Sequence, residues 1–226
     1  MDREVKKWGE ECAVRLPLGK VTLEGDLCIP ENARGVVVFA HGSGSSRHSP
    51  RNRYVAQVLR EAGLATLLFD LLTTEEEVED ARTARLRFDI GLLAERLVKA
   101  TGWLRQNEAT QGLNLGYFGA STGAAAALVA SVTVPKVISA IVSRGGRPDL
   151  ASEVLSKVKA PTMLIVGGND FTVIKLNREA LVRLAGEKAL VIIPGASHLF
   201  EEPGTLEQVA ENARKWFLAH LVNVKG

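Results

Sequence analysis

Cysteine, histidine, aromatic residues and net charge are all scarce in this sequence. Two cysteines and four histidines in 226 residues argue against a disulfide framework or a Cys/His metal site. Aromatic residues make up 5% and the net charge is +2, so a nucleic-acid-binding protein is not expected. The longest apolar run, 124–134, is too short to span a bilayer, and residues 1–8 contain no apolar segment typical of a signal peptide. We therefore expect a cytoplasmic protein without membrane partners, in which Cys12 and Cys28 stay reduced.

Short apolar runs alternate with helical patterns along the chain. Residues 12–16 and 21–29 alternate in polarity around a Pro-Leu-Gly turn and predict an N-terminal hairpin. Six continuous apolar runs, typical of strands covered on both faces, follow at 36–40, 65–69, 115–118, 137–142, 162–166 and 190–193. The pattern predicts one α/β domain over residues 1–226. It would have a mostly parallel eight-stranded sheet, an antiparallel N-terminal hairpin, helices on both faces and no large cap domain.

A G-x-S-x-G sequence surrounds Ser121, between a predicted strand and an alanine-rich helix. In that context it is typical of a nucleophile held on a strained turn, with Gly119 and Gly123 leaving room for the neighbouring backbone. The helix that begins here also points backbone N–H groups at a developing negative charge. The alternative is that Ser121 serves only as a helix N-cap.

A base and an acid for this serine are found at the ends of later predicted strands. His198 follows the run 190–193, and Asp170 follows the run 162–166. Ser121, Asp170 and His198 stand in the chain order of an α/β-hydrolase triad. Asp70, which also ends a strand, is the competing acid, while Glu201 and Glu202 would need the loop to fold back.

The glycine-rich loop 41–46 follows the third predicted strand, where the second oxyanion donor of such a site is expected. We assign the backbone N–H groups of Ser43 and Thr122 as the oxyanion hole. Gly42 and Gly44 are predicted to let the substrate approach the backbone closely. A phosphate-binding loop is the alternative, but the Gly-Lys-Ser/Thr ending of a P-loop is missing.

Arginines near these loops are candidates for binding a substrate carboxylate. Arg144 or Arg147 would make a bidentate contact, and we prefer Arg144; the alternative is that each is satisfied by a loop carbonyl or by Asp149. About eighteen residues separate 142 from 161, which is too few for a helical lid. Residues 73–87 predict a solvated helical face with internal charge pairs, or alternatively a small flap over the site.

Together the loop 41–44, the motif 119–123, the segment 167–170 and the pair 197–198 resemble the dienelactone hydrolase-like group of the α/β-hydrolase superfamily. The resemblance implies a serine hydrolase of esters, lactones or related acyl compounds that works without a cofactor. We expect a monomer or homodimer whose partner is a small-molecule ester or lactone. Ser121 stands where dienelactone hydrolase itself has cysteine, so the dienelactone substrate does not follow. Alternatives are a peptidase or acyltransferase on the same triad, and a hydrolase-fold protein that binds a small ligand without turnover.

Overall fold

A computed structural model describes residues 9–222. Residues 1–8, which underlie the expectation of no signal peptide, lie outside them. The strands are β1 Glu11–Pro17, β2 Thr22–Cys28, β3 Val36–Ala40, β4 Ala65–Phe69, β5 Leu115–Ala120, β6 Ile138–Arg144, β7 Thr162–Gly167 and β8 Lys188–Ile193. The α-helices are α1 Pro50–Glu61, α2 Thr74–Thr83, α3 Ile90–Gln106, α4 Thr122–Thr133, α5 Phe171–Arg183 and α6 Thr205–Leu221.

All eight strands form one sheet in the order β1-β2-β4-β3-β5-β6-β7-β8. β1 and β2 form the predicted antiparallel hairpin, β2 pairs antiparallel with β4, and every later pairing is parallel. The carboxyl ends of β3, β5, β6, β7 and β8 therefore meet at one edge of the sheet, which we call the carboxyl edge. All the candidate catalytic residues lie on loops at this edge.

Helices cover both faces of the sheet, as the alternating pattern predicted. One apolar core includes residues of α3 and α4 together with Val36 and Val38, and the other includes residues of α1 and α6 with Val37 and Phe39. Because successive β3 side chains enter opposite cores, the strand is apolar throughout. After β3 the chain continues into α1 on one face of the sheet. After the neighbouring strand β5 it continues into α4 on the opposite face. A crevice opens where two such connections diverge.

Three local expectations have clear outcomes. Cys12 and Cys28 are free thiols as expected, because Cys12 pairs with Leu27 and not with Cys28. β8 is an edge strand, and its side chains are mostly half-buried instead of covered on both faces. The sequence also favours a capping box at the start of α6 with Thr205 as N-cap, which is wrong. The N-cap is Gly204 at φ 79°, and the Thr205 hydroxyl donates to the Glu202 carbonyl at 2.7 Å.

In the part of the chain that the structure describes, no helix combines the length and apolar character needed to cross a membrane.

Candidate active site

Ser121 occupies a sharp turn between β5 and α4. Its backbone lies at φ 50° and ψ −118°, a conformation that non-glycine residues rarely adopt. The serine amide donates to the Arg144 carbonyl at 3.1 Å, and the Ser121 carbonyl accepts from the amides of Ala124 and Arg147, both at 3.1 Å. Backbone hydrogen bonds therefore hold the turn from β6 and α4. The Ser121 side chain caps no amide of α4, which argues against the N-cap interpretation.

The two glycines of the motif are required by close packing. A Cβ at Gly119 would lie 2.4 Å from the Ala124 Cα, and a Cβ at Gly123 would lie 2.2 Å from the Ala40 carbonyl oxygen. Both contacts are with backbone atoms, which cannot rotate away. The expected collision with a neighbouring strand or helix is thus confirmed, and it shows how tightly α4 is seated against β3 and β5.

Asp170 and His198 meet at the carboxyl edge, since their loops follow the neighbouring strands β7 and β8. The Nδ1 of His198 lies 2.6 Å from Oδ2 of Asp170. An ionised carboxylate only accepts hydrogen bonds, so Nδ1 carries the proton and Nε2 is left as the acceptor. The other Asp170 oxygen, Oδ1, accepts from the Val173 amide at 3.4 Å as the N-cap of α5. Both side chains are half-buried.

The competing acids are engaged elsewhere. Asp70 accepts from the backbone amide of Arg47 at 2.8 Å and forms an ion pair with the Arg47 guanidinium. Glu202 accepts from the Ser197 amide at 2.9 Å, which holds the loop that carries His198. Glu201 pairs with Arg51 at the surface. Of the acids weighed from the sequence, only Asp170 contacts His198.

The turn formed by Arg144 and Gly145 lies next to both Ser121 and His198. Arg144, whose carbonyl binds the Ser121 amide, is followed by Gly145 at φ 52°. A Cβ at Gly145 would lie 3.4 Å from Cε1 of His198, so this turn borders both the serine backbone and the imidazole ring. Among the described contacts no hydrogen bond connects the Ser121 hydroxyl to His198. Such bonds often form only when substrate binds.

The loop that follows β3 (residues 41–46), which we call the oxyanion loop after its predicted role, lies against the first residue of α4. The hydroxyls of Ser43 and Thr122 are 3.4 Å apart. The backbone amides of these two residues donate to no protein group among the described residues. A Cβ at Gly42 would lie 3.1 Å from the Ser121 Cβ. An oxyanion hole requires N–H donors that no protein group already occupies, and these two amides meet that condition.

His41 holds the base of the oxyanion loop, a role that sequence reasoning missed. This side chain is buried, its Nε2 accepts from the Leu71 amide at 3.0 Å, and its Nδ1–H donates to the Gly42 carbonyl at 3.0 Å. Burial lowers the pKa of His41 below its usual value, which favours the neutral ring that both bonds need. Its position directly after a buried strand was the available signal.

A cleft of about 470 Å³ lies between the oxyanion loop and α2. Thr122, Gly42, Gly44, Leu72 and Arg87 are among the residues that line it, so the cleft borders the proposed oxyanion donors. Neither Ser121 nor His198 belongs to its lining. The cleft thus borders the oxyanion loop and is not lined by the imidazole.

Residues 73–87 form α2 and a short 3-10 helix beside the cleft. The outer face of α2 is exposed, and Arg87 forms the expected internal pair with Asp80 at 2.6 Å. Glu77, Asp80 and Ala81 of α2 line the cleft, and of these only Asp80 is buried. Between β6 and β7 the chain forms two short 3-10 helices and no helical lid, as expected.

The two candidate carboxylate-binding arginines have different environments. Arg147 makes a bidentate pair with Asp149, at 2.9 and 2.7 Å, which is the structural alternative considered from the sequence. Arg144 is buried, and its one hydrogen bond runs from Nη2 to Oδ1 of Asn52 at 3.4 Å. Its Nε has no acceptor. Of the two, only Arg144 has a guanidinium that is not neutralised by a carboxylate.

Known proteins share this fold and much of this sequence. A crystal structure of a dienelactone hydrolase from Anabaena variabilis is 63% identical, with a TM-score of 0.92 over 94% of this chain and 98% of that one. An α/β serine hydrolase without lid from Xanthomonas campestris shares the fold at 22% identity, with a TM-score of 0.74 over 94% of this chain and 95% of that one.

Two Mycobacterium tuberculosis proteins, from strains CDC 1551 / Oshkosh and ATCC 25618 / H37Rv, are each 59% identical over 208 residues. Both are named "Putative phosphoribosyl transferase". The match covers 92% of this chain but 46% of each relative, so the chain spans about half the length of these curated relatives. The model of the Dienelactone hydrolase family matches residues 23–222, from β2 to the end of α6. With the α/β-hydrolase fold and the site at its carboxyl edge, this match shows that the chain belongs to the dienelactone hydrolase family.

Proposed function

We propose that this protein is a serine hydrolase that cleaves small carboxylic esters or lactones through an acyl-enzyme intermediate. The family membership and the α/β serine hydrolase neighbours support a hydrolase. The acyl-enzyme mechanism rests on one observation, the 2.6 Å contact between His198 and Asp170. This contact lies at the same edge of the sheet as the positive-φ turn of Ser121. A nucleophile, a base and a group that orients the base are the three elements of this chemistry.

In the proposed reaction, the Ser121 hydroxyl attacks the substrate carbonyl while Nε2 of His198 accepts its proton. Asp170 keeps the proton of His198 on Nδ1 and stabilises the imidazolium that forms. The amides of Ser43 and Thr122 donate to the oxyanion. His198 then protonates the leaving alkoxide, and a water molecule activated by the same nitrogen hydrolyses the acyl-enzyme.

The cleft beside the oxyanion loop supports a small substrate. Its volume of about 470 Å³ is within the range of small-molecule sites. Leu71, Leu72 and Leu93 supply apolar lining, while Gly42 and Gly44 leave the loop backbone accessible. We propose that the cleft receives one arm of the ester.

The phosphoribosyl transferase name of the mycobacterial relatives belongs to proteins of which this chain matches 46%. More than half of each relative lies outside the match. At the site of this chain, the contact between His198 and Asp170 supports acyl chemistry, and no observation among residues 9–222 favours phosphoribosyl transfer.

A fluorophosphonate probe together with short p-nitrophenyl esters tests the proposal. The probe is expected to label the wild-type protein on Ser121, and Ser121→Ala or His198→Ala is expected to abolish both labelling and turnover. Ser131→Ala, near the opposite end of α4, controls for folding and for selectivity of the label. A folded protein that binds ligand but neither reacts with the probe nor hydrolyses esters would be a binding protein and not an enzyme.

The acceptor of the acyl group separates the remaining alternatives. With added alcohol or amine, a hydrolase releases mainly the free acid, whereas an acyltransferase transfers the acyl group to the added nucleophile. Turnover of peptide p-nitroanilides at a rate comparable to that of esters would instead favour a peptidase.

A further inference from the structure

Six arginines lie on loops, helix ends or strand ends near the carboxyl edge of the sheet, and five of them have a carboxylate partner. The pairs are Arg47–Asp70, Arg51–Glu201, Arg53–Glu11, Arg87–Asp80 and Arg147–Asp149. Arg144 is the sixth, and it forms no ion pair within residues 9–222. The side chain that lacks a counter-charge therefore belongs to the residue whose carbonyl binds the Ser121 amide.

Arg144 is also deeply buried, with 7% of its surface exposed. The guanidinium carbon lies 5.9 Å from the centre of the buried Phe200 ring, and Nε has no acceptor. Burial, with a smaller contribution from Arg51, lowers the pKa of Arg144 to about 10. A buried cation without a carboxylate partner is costly, because one amide oxygen and one aromatic ring do not replace the hydrogen bonds that it makes to water.

The start of α1 adds further positive potential at this place. The first turn of α1 contains no acidic residue, although a helix N-terminus favours negative charge. It carries Arg51 and Arg53 instead. The Nε of Arg51 is buried and, like that of Arg144, has no acceptor. The guanidinium groups of Arg144 and Arg51 and the N-terminus of the 12-residue helix α1 thus all contribute positive potential at this place.

We propose that Arg144 and Arg51, with Asn52, form a subsite for an oxyanion carried by the substrate, either a carboxylate or a phosphate. This inference rests on the proposed hydrolase function. Since the Arg144 carbonyl is 3.1 Å from the Ser121 amide, the anion would be bound about one arginine side chain away from the reacting carbonyl. The substrate would be an ester with a second, negatively charged end.

The loop that carries His198 provides the entrance to this subsite. Glu201 contacts Arg51 at 3.3 Å, and 63% of its side chain is exposed, so this surface pair is easily exchanged. A substrate oxyanion would replace the Glu201 carboxylate on Arg51 and would supply the acceptor that Nε of Arg144 lacks.

Esters that differ only at the far end of the acyl chain test the subsite. The probes are 4-nitrophenyl adipate, which ends in a carboxylate, 4-nitrophenyl 5-phosphonopentanoate and the neutral 4-nitrophenyl hexanoate. We expect the wild-type protein to favour at least one anionic ester in kcat/KM. Arg144→Met is expected to reduce the anionic-to-neutral ratio of kcat/KM at least tenfold, and Arg51→Gln is expected to reduce the same ratio. Arg147→Gln, which breaks the pair with Asp149, is expected to leave the ratio unchanged.

Thermal unfolding gives a second readout. Millimolar adipate or phosphate is expected to raise the Tm of the wild-type protein but not that of Arg144→Met. In buffer alone, Arg144→Met should match or exceed the wild-type Tm, because it removes an uncompensated buried charge. If Arg144→Met fails to fold, the anionic-to-neutral ratio measured for Arg51→Gln tests the subsite instead.

The outcomes separate the subsite from the hydrolase function. Hydrolysis of the hexanoate ester with an anionic-to-neutral ratio that neither variant alters would overturn the subsite and leave the hydrolase intact. A lower Tm for Arg144→Met with an unchanged ratio would make Arg144 a structural residue. No labelling and no hydrolysis of any ester would overturn both. The preferred anionic ester identifies the oxyanion as carboxylate or phosphate.

Discussion

Replacing Gly123 by alanine tests how the serine turn is held in place. Gly123 lies in the first turn of α4 with an ordinary negative φ, so helix propensity alone predicts that alanine stabilises the protein by up to about 1 kcal/mol. The new Cβ, however, would lie 2.2 Å from the Ala40 carbonyl oxygen and 2.5 Å from that of His41. Ordinary contact begins near 3.4 Å, so α4 must move away from β3 by more than 1 Å.

Packing strain of this kind costs about 1–3 kcal/mol, and the contacts here are all with backbone. Because backbone atoms cannot rotate away, we take the upper part of this range and subtract the helix-propensity gain. We therefore expect Gly123→Ala to lower the free energy of unfolding by about 1–2 kcal/mol, with a fall in Tm of about 2–8 °C in a domain of this size. The same movement displaces Thr122 from Ser43, so ester turnover should fall by roughly 100-fold, the usual cost of a misplacement of about 1 Å. Urea denaturation and p-nitrophenyl ester hydrolysis measure the two effects.

Gly102→Ala in α3 is the matched control. Nothing lies within 4 Å of a Cβ at this position, so here helix propensity acts alone and the protein should gain about 0.5–1 kcal/mol. If Gly123→Ala were stabilised to the same extent and kept full turnover, the close packing of α4 on β3 would not be what holds the serine turn.

Two further predictions concern the acid and His41. Asp170→Asn should reduce kcat by several orders of magnitude, because the amide favours the wrong tautomer of His198. Asp70→Asn should instead lower the urea midpoint through loss of the pair with Arg47, and equal losses of kcat in both variants would refute the assignment. The folded pKa of His41 is lowered by burial, so the unfolded chain binds the proton first and stability should decline as the pH falls below about 6.5. His41→Gln keeps an acceptor for the Leu71 amide and should flatten this decline between pH 7.5 and 5.5; an unchanged slope would assign the decline to other groups.

The strands were predictable because they are buried on both faces. Val36–Ala40 and Ala65–Phe69 have the predicted bounds, since an uninterrupted apolar run has no other place than the interior of the sheet. Helix ends were less predictable. Ser49 followed by Pro50 is a pattern typical of an N-cap with proline at the first helical position, and Ser49 does cap α1. Thr205 is not an N-cap, because its hydroxyl bonds to a nearby carbonyl instead.

The sequence by itself determined the eight-stranded α/β fold, the glycines around Ser121 and the strand ends at which Asp170 and His198 stand. These features depend on local spacing and on the rule that parallel strands end at one edge. Only the tertiary structure decided which acid contacts His198, since Asp70 ends a strand equally well but is engaged by Arg47. It likewise separated Arg147, neutralised by Asp149, from Arg144, buried without a counter-charge. Pairing between charges distant in sequence follows from packing, and no local pattern encodes it.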